Sequence, residues 1–186
     1  VELACKLSDL VNNRVEIYLV DKGNKILSKS KSFNREQAMK AIDARNIKIY
    51  LGHCIESINE NVIELSSVDT ERNNSQKINY SSLIWTAGLK SCRLKFSYHF
   101  LEENKKIQVN QFLQINEHEN IFFVGDIVTC DNYTFPSSAQ AAMQQGFLTG
   151  QNIHSLRNEN KLRSFRFEDL GEMLSLGMGN ASITGY

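Results

Sequence analysis

The first 21 residues, VELACKLSDLVNNRVEIYLVD, are the stretch that decides the fold. Apolar residues recur at helical spacing from Val1 to about Asn12, and a mostly apolar run from Val15 to Val20 then ends at Asp21. Parallel strands are buried on both faces and read as continuous apolar runs, so this run predicts a buried parallel strand. A helix, a strand and an acidic residue in this order are typical of units that bind a dinucleotide.

The next stretch repeats the helix and the strand. Asn34 is expected to cap a helix that runs to Arg45, and Ile47–Gly52 alternates as a strand does. Two strands joined by a helix predict a βαβ unit with a parallel sheet.

Shorter strands follow that unit. Residues 54–58, 62–65 and 77–80 predict an antiparallel meander laid on the parallel sheet. Residues 82–85 predict one more strand, which runs into a tight turn of small residues at Thr86, Ala87 and Gly88. Backbone can approach a ligand closely at such a turn.

The second half of the chain gives weaker signals. Residues 107–109 and 112–115 predict a hairpin, and residues 120–124 predict a buried strand that ends at Gly125 and Asp126. After Pro136, serines supply caps for a helix that reaches about Leu156. Residues 165–169 and 172–177 are strand-like.

Composition excludes several classes of protein. Lysine and arginine number 21, as do aspartate and glutamate, so no surface for nucleic acid is indicated. An apolar fraction of 41% supports a packed core, and no run is long enough to span a membrane as a helix. The four cysteines form no C-x-x-C pair and the histidines share no ligand spacing, so we expect no metal site and a reducing compartment.

Asp21 has two interpretations. At the end of the second strand of a dinucleotide fold, its carboxylate would bind the ribose hydroxyls and disfavour a 2′-phosphate, so NADH is preferred over NADPH. Nearby Lys22 and Lys25 weaken that preference. Alternatively, Asp21 followed by Lys22 and Gly23 is a plain turn.

Two features of the second half also have a binding and a structural interpretation. The N-terminus of the helix after Pro136, at Ser138 and Ala139, could face an anionic ring such as a reduced flavin, and Asp126 after Gly125 could bond a sugar-like chain. The alternative is a capped helix beside an ordinary turn.

Three polar side chains could act on a substrate. Gln140 and Gln144 lie on one helical face, where their amides could donate to a quinone carbonyl; the alternative is a packed helix with solvated glutamines. Glu2 either complements the dipole of the first helix or relays a proton beside a flavin.

Together these residues resemble the type II NADH dehydrogenases, which are single-subunit flavoproteins. The motifs that carry the resemblance are V-E-L-A at Val1, L-V-D-K-G at Leu19, I-W-T-A-G at Ile84, N-I-F-F-V-G-D at Asn120, A-Q-A-A-M-Q-Q-G at Ala139 and F-R-F-E-D-L-G-E-M-L-S-L-G at Phe165. The most selective of them is A-Q-A-A-M-Q-Q-G, which resembles the family's A-Q-x-A-x-Q quinone motif. The segment after Lys25 further resembles the cyanobacterial and plastid branch, which reduces demethylphylloquinone or plastoquinone.

The resemblance implies an α/β flavoprotein with two dinucleotide-binding folds of the FAD/NAD(P)-binding Rossmann type. Residues 1–93 would be part of the NAD(P)H-binding domain, residues 94–160 the second part of the FAD-binding domain, and residues 161–186 the start of a C-terminal region on the quinone and membrane side. We expect a fragment that lacks both glycine-rich turns and the C-terminal membrane-binding helices.

The resemblance also implies roles for individual residues. NADH, or NADPH as the alternative donor, would lie on Asp21 and along Thr86, Ala87 and Gly88. FAD would contact four residues near its ribityl chain and ring: Gly125, Asp126, Ser138 and Ala139. Gln140 and Gln144 would line the site of a membrane quinone such as plastoquinone or demethylphylloquinone, and Glu2 would be the catalytic residue between the NADH and quinone sides of the flavin.

The implied reaction passes a hydride from NADH to FAD and two electrons to the quinone, without proton pumping. The protein would lie peripherally on the cytoplasmic side of a thylakoid or plasma membrane, and a homodimer is a compatible assembly. Alternatives are another flavoprotein of the same architecture, such as a sulfide:quinone reductase or a disulfide reductase, and a non-catalytic NADH-binding redox sensor.

Overall fold

A computed structural model describes residues 1–12, 14–69, 75–88, 106–116, 118–130 and 133–185. The boundary expected between residues 93 and 94 lies outside these residues. In chain order, the described elements are α1 (Glu2–Leu10), β1 (Tyr18–Asp21), α2 (Ser32–Asp43), β2 (Lys48–Leu51), β3 (His53–Ile58), β4 (Val62–Ser67), β5 (Gln76–Asn79), β6 (Ile107–Gln108), β7 (Gln114–Ile115), β8 (His118–Phe122), β9 (Val128–Thr129), α3 (Ala139–Arg157), β10 (Glu172–Ser175) and β11 (Ala181–Thr184). They form two compact units, the first comprising Val1–Trp85 with Gly171–Tyr186 and the second Thr86–Leu170.

The predicted βαβ unit is present in the first unit. Strands β1 and β2 pair in parallel, with Tyr18 opposite Lys48 and Asp21 opposite Leu51. Helix α2 makes the crossover that parallel strands require. The core between these elements consists mainly of apolar side chains from α1, α2 and β10: Ala4, Cys5, Ala38, Ala41, Ile42 and Leu174.

The predicted meander is also present. Strands β3, β4 and β5 form an antiparallel sheet in that order. Its inward residues Ile63, Leu65 and Ile78 pack against Tyr18 and Val20 of β1. The alternation of buried and exposed residues along β4 therefore places one face of the meander on the parallel sheet.

Asn34 does not cap α2. The helix begins at Ser32, and its N-cap Lys31 makes no side-chain cap. Asn34 is fully buried in the first turn, where its Nδ2 donates to Glu172 Oε2 at 2.7 Å and to Thr184 Oγ1 at 3.1 Å. Its Oδ1 accepts from Ser182 Oγ at 2.6 Å. Asn34 thus fixes the hairpin of β10 and β11 to α2.

A second polar contact holds the same hairpin against α1. The Asp9 carboxylate accepts from Arg45 Nε at 2.7 Å and Nη2 at 3.0 Å, and also from the backbone N–H of Met178 at 2.6 Å. The Arg45 bonds and then the Met178 bond hold the pKa of Asp9 below its ordinary value. A side chain at Gly177, where φ is +113°, would overlap Arg45 and Asp9.

Acid should therefore weaken the first unit through Asp9. A carboxyl whose pKa is lowered by folding stabilises the protein fully above its unfolded pKa of about 4, and this contribution is lost as pH falls through the lowered folded value. We expect Asp9→Asn to lower the urea midpoint near neutral pH and to make no difference at the acid end of the series. Asp43→Asn, at an exposed position of α2, is the control. A difference between Asp9→Asn and the parent that does not change with pH would contradict this assignment.

The second unit differs from the prediction in its strand pairing. β6 pairs in parallel with β9, and β7 pairs antiparallel with β8. The predicted hairpin of 107–109 with 112–115 is wrong, because these two segments share only the isolated bridge between Val109 and Ile115. The predicted strand at 120–124 is β8, which begins two residues earlier and ends at Phe122.

Helix α3 agrees with its predicted bounds and cap. Ser138 Oγ accepts from the backbone N–H of Ala141 at 3.2 Å. The helix's buried residues are Ala141, Gln145 and Asn152, at helical spacing on one face. Asn152 accepts from Arg163 N at 2.9 Å and donates to Arg163 O at 3.0 Å, so the chain after α3 is fixed to that face.

Two predicted strands are not strands. Residues 82–85 have no regular secondary structure, and the side chains of Ile84 and Trp85 are 55% and 61% exposed. None of the described strands pairs with 82–85 or with 165–169. A strand forms only where a neighbouring strand pairs with it, so an apolar run alone does not produce a strand. The N–H groups of Phe165 and Phe167 instead donate to Gln111 O and to the Tyr133 hydroxyl. Among the described residues, no helix is long and apolar enough to span a bilayer.

Candidate functional site

The carboxyl ends of β1 and β2 form one wall of a cleft in the first unit. The cleft has a volume of about 670 Å³, and its lining includes Lys22, Gly23, Leu51, Gly52 and His53. In open parallel sheets, ligands bind beyond the carboxyl ends of the strands. The cleft therefore lies at the edge of the sheet where open parallel sheets bind their ligands.

Asp21 directly precedes Lys22 and Gly23, which line this cleft. It is exposed, and its Oδ1 accepts from the backbone N–H of Gly23 at 2.7 Å. This bond is the turn that the sequence offered as one interpretation. It uses one oxygen of the carboxylate, and the other oxygen retains the capacity to accept from ribose hydroxyls.

Glu2 is held by the C-terminal hairpin. Its Oε1 accepts from the backbone N–H of Ser175 at 2.7 Å. Glu2 and Asp9 are seven residues apart, so they lie on the same face of α1 and both accept backbone N–H groups from residues 175–178. The structure thus gives Glu2 a positioned carboxylate whose second oxygen is not used in this bond.

Thr86, Ala87 and Gly88 are exposed and lie at the start of the second unit. Gly88 has φ +82°, a conformation that residues with a Cβ rarely adopt. Gly88 thus has the backbone freedom expected of a tight turn, but residues 82–88 form neither a turn nor the strand expected before it.

The second unit brings together the two features that the sequence suggests for a flavin. Gly125 has φ +85°, and a Cβ at this position would lie 3.9 Å from the Cβ of Ala142 in the first turn of α3. The turn at Gly125 and Asp126 therefore packs beside the N-terminus of the helix, near the capped end at Ser138 and the exposed Ala139. An exposed helix N-terminus concentrates unpaired N–H groups and positive potential next to this turn.

Gln140 and Gln144 contact the backbone of residues 168–170, which we call the strap. Gln144 Oε1 accepts from Glu168 N at 3.0 Å, and its Nε2 donates to Glu168 O at 2.7 Å. Gln140 Oε1 accepts from Leu170 N at 3.2 Å. The strap thus occupies both amide oxygens, and a carboxamide nitrogen carries two hydrogens. Gln144 therefore has one amide hydrogen left after its Nε2 donates to Glu168 O. Gln140 has both of its amide hydrogens left, because its bond to Leu170 involves only the oxygen.

Sequence reasoning missed Gln145, which is 1% exposed and whose Oε1 accepts from Gly125 N at 2.6 Å. Its Nε2 has no partner among the described residues. Helical spacing could have predicted that Gln145 is buried, since it lies four residues after the buried Ala141. Gln144 lies on a more open face of the helix. Within the described chain, no group of histidine, cysteine or carboxylate side chains could hold a metal ion.

Comparison with protein families gives a match over most of the chain. The model of the pyridine nucleotide-disulphide oxidoreductases matches residues 1–146.

Curated relatives extend this match to the whole chain. The sequence is 30% identical to the alternative NAD(P)H-ubiquinone oxidoreductase C1, chloroplastic/mitochondrial, of Arabidopsis thaliana, over 99% of this chain and 38% of that protein. It is 29% identical to demethylphylloquinone reductase NdbB of Synechocystis, over 100% of this chain and 46% of that protein. It is 28% identical to type II NADH:quinone oxidoreductase of Staphylococcus aureus, over 93% and 43% respectively. The chain spans less than half the length of these relatives.

Solved structures agree with the fold. NDH2 of Plasmodium falciparum, solved in complex with NADH, superposes with a TM-score of 0.81 at 15% identity, over 100% of this chain and 55% of that one. The sulfide:quinone oxidoreductase of Aquifex aeolicus superposes with a TM-score of 0.74 at 14% identity, over 98% and 46% respectively. At these identities the likeness concerns the fold alone, and together with the family match it confirms the predicted FAD/NAD(P)-binding α/β fold.

Proposed function

Because the chain belongs to the pyridine nucleotide-disulphide oxidoreductase family, we propose that it forms the NADH-binding and quinone-facing part of an NAD(P)H:quinone oxidoreductase of type II. Its curated relatives are NAD(P)H:quinone oxidoreductases. In this proposal, residues 1–93 serve NADH, residues 94–160 serve FAD, and residues 161–186 begin the quinone and membrane side. The whole protein lies peripherally on the cytoplasmic side of a membrane, and a homodimer is compatible with this arrangement.

The observation that carries the proposal is the orientation of Gln140 and Gln144. Backbone N–H groups of the strap bond both amide oxygens, so the hydrogens that remain are donors. A quinone carbonyl accepts such donors without a charge being placed in an apolar slot. Met143 and Phe147, 75% and 73% exposed on the same helix, supply apolar surface for a quinone ring.

The second unit fits a flavin. The turn at Gly125 and Asp126 adjoins the N-terminus of α3, and Gln145 leaves a buried amide without an acceptor. FAD, when bound, supplies the two-electron chemistry that links a nicotinamide to a quinone. Asp126 would bind the ribityl hydroxyls, the N–H groups at Ser138 and Ala139 would face the ring, and Glu2 would hold or pass a proton at its carboxylate.

The proposal is tested on the whole protein with NADH and a soluble ubiquinone analogue. We expect NADH oxidation that depends on the quinone, and a yellow protein whose extracted cofactor is FAD. Oxidation of sulfide in place of NADH would support the sulfide:quinone reductase alternative. Binding of NADH without turnover would support the redox-sensor alternative.

Asp21 gives a separate test of the nucleotide site. We expect Asp21→Asn to raise the KM for NADH about tenfold and to increase the kcat/KM for NADPH relative to NADH. A hydrogen bond to a charged group contributes about 1.5–3 kcal/mol, and a carboxylate repels the 2′-phosphate. Asparagine retains an oxygen that can accept from Gly23, so this variant removes the charge and keeps the turn.

Steady-state kinetics with both nucleotides measure this effect, and Asp43→Asn on the exposed side of α2 is the matched control. If Asp21→Asn leaves the preference between NADH and NADPH unchanged, Asp21 serves only the turn.

A further inference from the structure

Gln145 is a buried carboxamide that the quinone site does not use. It directly follows Gln144 in the chain, but it points to the inner face of α3, where it is 1% exposed. Its Oε1 accepts from the backbone N–H of Gly125 at 2.6 Å, across 20 residues of sequence. The bond therefore joins α3 to the turn that carries Asp126.

This bond fixes a turn that is otherwise held weakly. Gly125 lies at φ +85°, and its carbonyl accepts from Val128 N at 3.3 Å. Its N–H has no bond besides the one to Gln145 among the described contacts. Removing the acceptor would leave a partly buried N–H unsatisfied and would free the backbone immediately before Asp126.

The other half of the same amide is unsatisfied. Gln145 Nε2 is one of two buried polar side-chain atoms in the described chain without a partner, and the second, Thr149 Oγ1, lies one turn further along α3. A buried N–H without an acceptor is unfavourable, and native proteins retain few of them. A leucine or methionine would avoid this penalty, but it would also remove the acceptor of the Gly125 N–H, so the bond to Gly125 is the interaction for which this position requires an amide.

We propose that Gln145 is a positioning residue for the flavin nucleotide: by bonding Gly125 it holds the turn in the conformation that presents Asp126 to the ligand. This inference rests on the proposed function, in which Asp126 binds the ribityl chain. It differs from the role of Gln140 and Gln144, because Gln145 acts through a backbone turn and is not exposed to the quinone.

The test compares Gln145→Met with Gln151→Met in the whole protein, prepared with FAD removed and then titrated with FAD. Both changes place methionine on α3, and within the described ranges the Gln151 amide has one bond, in which its Oε1 accepts from Arg163 Nη1 at 3.3 Å. We expect Gln145→Met to raise the Kd for FAD at least about tenfold, because a buried N–H loses its acceptor, and Gln151→Met to leave it within threefold of the parent. Hydrogen exchange at Gly125 and Asp126 in the FAD-free protein should accelerate only in Gln145→Met.

If Gln145→Met does not fold, Gln145→Asn replaces it, since asparagine keeps an amide but is one methylene too short to reach Gly125. The same rise in Kd is expected. A folded Gln145 variant with an unchanged Kd for FAD, even if less stable, would overturn this inference alone. A parent protein that binds no FAD would overturn the proposed function and this inference with it.

Discussion

Gln144→Leu in the whole protein should slow reoxidation of the reduced flavin by quinone about 10- to 100-fold, while reduction of the flavin by NADH keeps its parent rate. The loss corresponds to about 1.5–3 kcal/mol, which is the range for one or two hydrogen bonds formed at the reacting carbonyl. The physical reason is that leucine removes the remaining amide hydrogen and also both bonds to Glu168. The strap then keeps only its bond from Leu170 N to Gln140 on this face of α3.

Rapid mixing under anaerobic conditions separates the two half-reactions. Gln151→Leu on the same helix is the matched control, since among the residues that the structure describes this amide bonds Arg163 alone. Equal slowing of both half-reactions by Gln144→Leu would remove the assignment of Gln144 to the quinone, because an effect on the flavin itself would then explain the result.

Asn34→Leu should destabilise the first unit by about 2–4 kcal/mol, which is large compared with the usual effect of a surface substitution. Leucine has the same number and branching of side-chain heavy atoms as asparagine, but it leaves the buried Ser182 hydroxyl without its acceptor. It also removes one donor from Glu172, which keeps its bonds from Lys31 N and Ser30. Each buried group left unsatisfied costs about 1–3 kcal/mol. The hairpin of β10 and β11 loses its main polar attachment to α2.

Urea unfolding of the whole protein measures this loss. Asn160→Leu, at an exposed position after α3, controls for the change of residue type. A midpoint for Asn34→Leu within the error of the control would show that the buried network contributes no net stability.

Local signals predicted the elements that local interactions form. The helical period after Val1, the apolar run before Asp21 and the serine before Ala139 each act within a few residues, and the corresponding elements are present. β1 is shorter than its apolar run, because Val15 is 57% exposed and pairing begins only at Tyr18. Strand ends depend on where a partner begins, and the run itself does not contain that information.

Contacts between distant parts of the chain were not predictable. Asparagine is a residue type that commonly caps helices, yet the partner of Asn34 is Glu172, 138 residues away. β6 pairs with β9 and not with its neighbour in sequence. A parallel pair requires a long crossover connection, and no local sequence pattern specifies which two strands such a connection brings together.

The candidate site divides in the same way. The chemistry of Asp21, Gly125 and Gln140 could be predicted from the residue type and from the neighbouring residues in the sequence. The bond that ties Gln145 to Gly125 and the strap that orients Gln144 depend on tertiary packing. Helical periodicity places Gln145 on the inner face of α3, but only the fold identifies the backbone N–H that it meets.

The central claim is that the whole protein passes electrons from NADH through a flavin to a quinone. Its most direct test is an anaerobic titration of the whole protein, followed through the visible absorbance of the flavin. The account predicts that NADH bleaches a bound flavin and that a soluble quinone then restores the colour, with one quinone consumed for each NADH. A protein that contains no flavin, or whose flavin is bleached by NADH but not restored by quinone, would contradict it.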